Sequence, residues 1–173
     1  SAGGPGHVDV SQAIDVLDRA TTRVDRSQGD VHAAGNPHYW LDPQNGRRIA
    51  DLFARKFTAL DPANAAAYAK NAKAFDARLA AAERDWKDEL AALAGKPVVA
   101  YHTSWKYLAG YAKLNVVGYM EPKPGVPPSP SHLAGLILQM KRTGAKAIIM
   151  VPFYSRRDAE FVASKTGARV VVL

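Results

Sequence analysis

The chain has 173 residues, 47% hydrophobic and 23% charged, the balance of a globular protein rather than a disordered one. Cysteine is absent, which excludes disulfides, thiolate metal sites and cysteine nucleophiles; any metal here must be held by imidazole and oxygen. The formal charge is +7, but the basic residues fall in scattered pairs such as Arg47-Arg48, Lys141-Arg142 and Arg156-Arg157. With no stripe that interleaves them with aromatics, they read as solvated helix surface and not as a nucleic-acid face.

No run approaches the roughly 18 apolar residues of a spanning helix. The opening SAGGPG holds no export signal, although a mature exported chain would have lost one. The first 60 residues do not read as a domain of their own. HVDVSQAIDVL offers a short strand or turn and a helical fragment, and residues 21–35 read as polar loop. The stretch GNPHYWLDP follows, and Asp42 then precedes Pro43, the pairing of an N-cap with a first-turn proline. Ile49, Leu52, Phe53 and Phe57 share one side of the helix predicted from residue 43 to residue 60.

Asp61-Pro62 signals a second helix start, after which Tyr68, Ala72, Phe75, Leu79, Trp86, Leu90 and Leu93 recur at steps of three and four or their sums. The spacing predicts one helix over 61–94, stopped by Gly95 and roughly 50 Å long at 1.5 Å per residue. That is too long for a crossover in a small sheet, so a strut between two lobes is expected. From Gly95 onward, short apolar runs at 97–101, 115–120, 146–151 and 169–173 alternate with helical patterns at 103–113, 131–142 and 157–165. This alternation predicts an α/β fold: a four-stranded parallel sheet with helices on both faces and right-handed crossovers. Gly144 and Gly167 stand where helix C-caps belong. The expected organisation is the end of one α/β lobe over 1–60, the linking helix over 61–94 and a carboxy-terminal α/β lobe over 95–173.

Five histidines are present, at positions 7, 32, 38, 102 and 132. His38 lies between Pro37 and Tyr39-Trp40, a restricted backbone with bulky neighbours. A pre-oriented metal ligand and a satisfied structural histidine both suit that setting. His102 follows the first strand directly, at the edge of a parallel sheet where ligands bind, but it could equally pack under Trp105 or cap a helix. Glu121 ends the second strand in the same way and would face the same crevice, with a solvated loop carboxylate or a salt bridge to Lys123 as the alternative. His7, His32 and His132 sit in polar or proline-rich contexts and read as surface. The proline-rich EPKPGVPPSPS reads as a stiff rim at the exit of the second strand. No phosphate loop, HExxH or GxSxG motif occurs, and Ser104, two residues after His102, has no visible triad partners.

With NPHYWLDP, the long helix and AYHTSWKYLAGYAKL in view, the chain resembles the zinc- and manganese-binding solute-binding proteins of bacterial ABC transporters. The resemblance runs from about Val8 to Leu173. It implies that His38 is the metal histidine closing the amino-terminal lobe and that His102 is a ligand from the carboxy-terminal lobe. Glu121 is a third metal candidate read from its position alone. A histidine at 102 favours Zn2+ over the alternative, Mn2+. The resemblance further implies capture of a divalent metal ion outside the cytoplasm and delivery to an ABC permease. The protein would act as a monomer, periplasmic or extracellular, held at the membrane by the transporter or a lipid anchor. Two ligands of that family, an early histidine and a late acid, have no counterpart in these 173 residues. A zinc-dependent hydrolase and a metal-independent surface adhesin are the competing readings.

Overall fold

A computed structural model describes residues 3–21, 25, 29–30 and 32–173. The four apolar runs form four strands: β1 (Pro97–Ala100), β2 (Asn115–Tyr119), β3 (Ala147–Met150) and β4 (Arg169–Val172). They pair only in parallel, in the order β2-β1-β3-β4. The α/β expectation of a four-stranded parallel sheet is therefore met, each strand ending slightly short of its apolar run. Successive strand residues point to opposite faces. On one face, Val99, Ile148 and Met150 pack with Leu136, Met140 and Val162. The last three come from α4 (Pro130–Thr143) and α5 (Arg156–Thr166), which end at Gly144 and Gly167 as the spacing predicts. On the other face, Ala100 and Ile149 meet Trp105, Leu108 and Leu41. The helix expected over 103–113 is shorter: a 3-10 turn at Thr103–Trp105 runs into α3 (Lys106–Tyr111).

Because β1 has β2 on one side and β3 on the other, connections leave these central strands in opposite directions. A crevice opens beyond the carboxyl ends at such a switch point. His102 stands at that edge, two residues after β1.

Before the sheet come α1 (Pro43–Leu60) and α2 (Ala65–Ala91). Asp42 caps α1 by accepting from the Gln44 N–H at 2.9 Å, with Pro43 in the first turn. The long helix has 27 residues, not the 34 expected. Asp61 does not cap it through the backbone; its carboxylate takes the Asn64 side-chain amide (2.7 Å) and the Tyr68 hydroxyl (2.8 Å). Residues Pro62–Asn64 consequently form a separate 3-10 turn. At the other end, residues 92–95 leave the helix as turns. No residue of α2 is buried: Phe75 and Leu79 pack over Gly46 of α1, while Trp86, and Leu93 in the turn beyond the helix, are exposed. Glu83 of α2 ties three helices together. It pairs with Arg47 of α1 and accepts from Gln44 of α1 and from the Tyr111 hydroxyl of α3, the latter two at 3.0 Å.

At the amino-terminal end, a 3-10 turn at Val10–Ala13, capped by Asp9, takes the place of the strand or helical fragment anticipated there. The polar loop expected over 21–35 lies partly outside the described residues.

Candidate metal centre

The NPHYWLDP segment is anchored by the residue before its proline. Asn36 is buried, and its backbone N–H donates to the Leu17 carbonyl at 2.7 Å. Gly35 makes that approach possible. Its φ is +101°, and a Cβ there would fall 2.5 Å from Val16 Cγ1 and 2.7 Å from the Leu17 oxygen, so only glycine fits. The Asn36 side chain is oriented by its partners. Its amide nitrogen donates to the Thr103 carbonyl (2.9 Å) and to Asp18 (3.2 Å), while its oxygen accepts the His38 backbone N–H at 3.1 Å. The same oxygen lies 2.9 Å from His38 Nδ1. An oxygen that accepts can only be met there by a donor, so His38 carries its proton on Nδ1 and keeps the Nε2 lone pair free.

His102 reaches the equivalent state by a different partner. Its Nδ1 is 2.6 Å from Glu121 Oε2, and a carboxylate oxygen accepts, so Nδ1 again bears the proton. Glu121 is buried, with a side chain only 7% exposed, and is not the solvated loop carboxylate weighed as its alternative. The His38 and His102 rings lie 6.0 Å apart between centroids, edge to face. Trp40 flanks His38 at 5.4 Å and Tyr154 flanks His102 at 5.8 Å. Burial, reinforced by the neighbouring His102 and His32, lowers the His38 pKa from its ordinary value. The neutral form of the ring is thereby favoured.

Both histidines line one cleft of about 250 Å³, together with Asp18, Asp30, His32 and Lys106. The sequence places His32 at the surface. It is exposed, but the turn in which Gly35 N–H donates to the His32 carbonyl (2.9 Å) sets it at the cleft. Nothing periodic in a polar loop could have placed it; its only signal was a position six residues before His38. His132 instead spends Nε2 on the Tyr119 carbonyl at 2.9 Å. Among the described residues, no group of three or more His, Asp or Glu side chains converges closely enough to hold a metal ion. What lies together is a pair of imidazoles, each with its Nδ1 against an oxygen acceptor.

Residues 2–173 match the family described as zinc-uptake complex component A, periplasmic (ZnuA). The chain belongs to this family. It is 31% identical over 136 residues to the high-affinity zinc uptake system protein ZnuA of Brucella abortus, covering 79% of this chain and 41% of that protein. Among solved structures it is similar to the solute-binding protein FpvC of Pseudomonas aeruginosa in complex with Ni2+, at 30% identity and a TM-score of 0.70, covering 83% of this chain and 54% of FpvC. FpvC in complex with Mn2+ gives 28% and 0.69, covering 85% and 57%. It is also similar to a mutant of the laminin-binding adhesin Lmb of Streptococcus agalactiae, at 25% identity and a TM-score of 0.73 over 96% of this chain and 60% of Lmb. The chain thus spans about half the length of the proteins it matches. The ZnuA family is one of metal-binding transport receptors, not of enzymes.

Proposed function

We propose that this chain captures a divalent transition metal ion outside the cytoplasm and delivers it, as a monomer, to an ABC permease in the membrane. Zinc is the favoured cargo and manganese the alternative. The carrying observation is the pair His38 and His102, which line one cleft with both Nδ1 atoms committed to acceptors and, among the described residues, no hydrogen-bond partner at either Nε2. Ligating histidines characteristically donate their second ring nitrogen in this way. Imidazole nitrogen also suits zinc better than the harder manganese ion. Zinc takes about four ligands, so two imidazoles hold it only with partners beyond the pair. The zinc-uptake name of the Brucella relative supports zinc; the Ni2+ and Mn2+ complexes of FpvC support a site of broader reach.

Calorimetric titration of zinc at pH 7.5 into the chain and into a His38→Ala, His102→Ala double variant tests the reading. Binding that disappears in the double variant supports it. Equal binding by both, or by neither, sinks it.

A second reading, surface adhesion, is favoured by the similarity to Lmb. Laminin binding that persists in the double variant would support it, and absence of laminin binding at micromolar protein would remove it.

A further inference from the structure

The sequence offers Glu121 as a third metal ligand because it ends β2 beside the strand end that carries His102. The geometry assigns it other work. We propose that Glu121 is a positioning residue that fixes the tautomer and orientation of His102, and that it does not contact the metal. The inference rests on the reading of His102 as a ligand.

Three observations carry it. The first is that a single oxygen of Glu121, Oε2, is engaged twice, by His102 Nδ1 at 2.6 Å and by the Gly125 backbone N–H at 2.9 Å. Two donors thus occupy Oε2, so this oxygen has no lone pair left to aim at an ion. The second is that both members of the pair are held still. Glu121 is 8% exposed, and its own N–H donates to the Tyr101 carbonyl at 3.1 Å, so β2 continues to pair with the residue immediately before His102. The third is that the Gly125 donor is set by backbone that glycine alone adopts without strain. Its φ is +74°, and a Cβ there would come within 3.1 Å of Asp30 Cβ. The turn that presents this N–H is therefore packed against the loop leading to His32, and Asp30 N–H donates to the Pro124 carbonyl at 2.7 Å.

The order of support is Gly125 to Glu121 to His102, with the His102 Nε2 lone pair as its product. A carboxylate behind a ligating imidazole also raises the basicity of the ring and so strengthens the metal bond. His38 has the neutral Asn36 amide in the same role, so the two imidazoles are oriented alike but differ in the charge behind them.

The test pairs two variants with a direct readout of the tautomer. Histidine nitrogen chemical shifts are recorded on the metal-free chain near pH 8, and zinc affinity is measured by competition with a chelator, for wild type, Glu121→Gln, Glu121→Ala and His102→Ala. In wild type the proton of His102 is expected on Nδ1. Glu121→Ala should release the ring to a mixture of tautomers and weaken zinc binding about 10- to 100-fold. Glu121→Gln should keep the Nδ1 proton and recover most of the affinity, because one amide oxygen can accept from both donors as Oε2 does. Loss in Glu121→Gln as large as in Glu121→Ala, with the tautomer intact, would make Glu121 a ligand and overturn the proposal. A wild-type His102 protonated on Nε2 would overturn it even if the alanine variant failed to fold. If His102→Ala binds zinc like wild type, the metal reading of His102 itself fails, whatever Glu121 does.

Discussion

The Tyr107 hydroxyl donates to the Asn36 carbonyl at 3.0 Å, a bond between residues 71 positions apart. The Tyr107 hydroxyl oxygen also accepts the Leu17 N–H at 2.8 Å, so one buried phenol joins α3 to two segments of the amino-terminal region. The His38 segment is thereby attached to the helix that follows His102. Tyr107→Phe leaves a carbonyl and an N–H without this partner and should destabilise the chain by about 1–3 kcal/mol. Thermal unfolding followed by circular dichroism reads the shift. Zinc affinity of the variant should fall as well, since the two histidines lose a shared reference point.

The Asn36 side-chain oxygen meets both the His38 backbone N–H and its Nδ1, so Asn36→Ala should lower zinc affinity roughly 10-fold or more. Asn36→Asp is the sharper variant: it keeps an acceptor for His38 but turns the donor toward Asp18 and Thr103 into a second acceptor. It should retain the His38 tautomer and still unfold at lower temperature than wild type. An Asn36→Asp variant with wild-type stability would contradict the assigned amide orientation.

Gly35→Ala combines left-handed backbone strain with a Cβ set 2.5 Å from Val16 Cγ1. The cost should be about 2–4 kcal/mol, read as a lower denaturant midpoint. Gly110→Ala is the control, because a Cβ there meets nothing within 4 Å; it should be neutral or slightly stabilising.

Glu83 is held below its ordinary carboxylate range chiefly by the hydrogen bond from Arg47, with further help from Tyr111 and Gln44. A depressed folded-state pKa means that the ionised form is the one stabilised by folding. Its contribution is fully present above the unfolded-state pKa of 4.5 and is lost as pH falls through the lower folded value. Glu83→Gln should therefore cost about 1 kcal/mol near neutral pH, and the difference from wild type should shrink toward zero in acid. Urea midpoints measured for both chains across that pH range check the sign. A difference that grew in acid would be inconsistent with the pairing.

Local signals determined the elements. Alternation of short apolar runs with helical patterns is enough to specify a parallel sheet, because only buried strands can be apolar on both faces and only crossovers can join them in parallel. Asp42-Pro43 marked the start of α1, and Gly144 and Gly167 marked the ends of α4 and α5, since caps are chemistry between residues a few positions apart. NPHYWLDP and His102 were legible for the same reason: each stands in a distinctive local context. The length of α2 was misjudged where a local side-chain bond competed, with Asp61 turning to Asn64 and Tyr68 instead of the helix backbone.

Relations between distant residues were decided only by the tertiary structure. That Glu121 stands behind His102, that Asn36 reaches Thr103 and Tyr107, and that His32 shares the cleft of His38 all depend on how strand order and loops bring separate segments together. Sequence spacing carries no information about such distances, because folding sets them through packing on both faces of the sheet. A carboxylate at a strand end looks the same in sequence wherever it points; only the fold sets Glu121 Oε2 2.6 Å from His102 Nδ1.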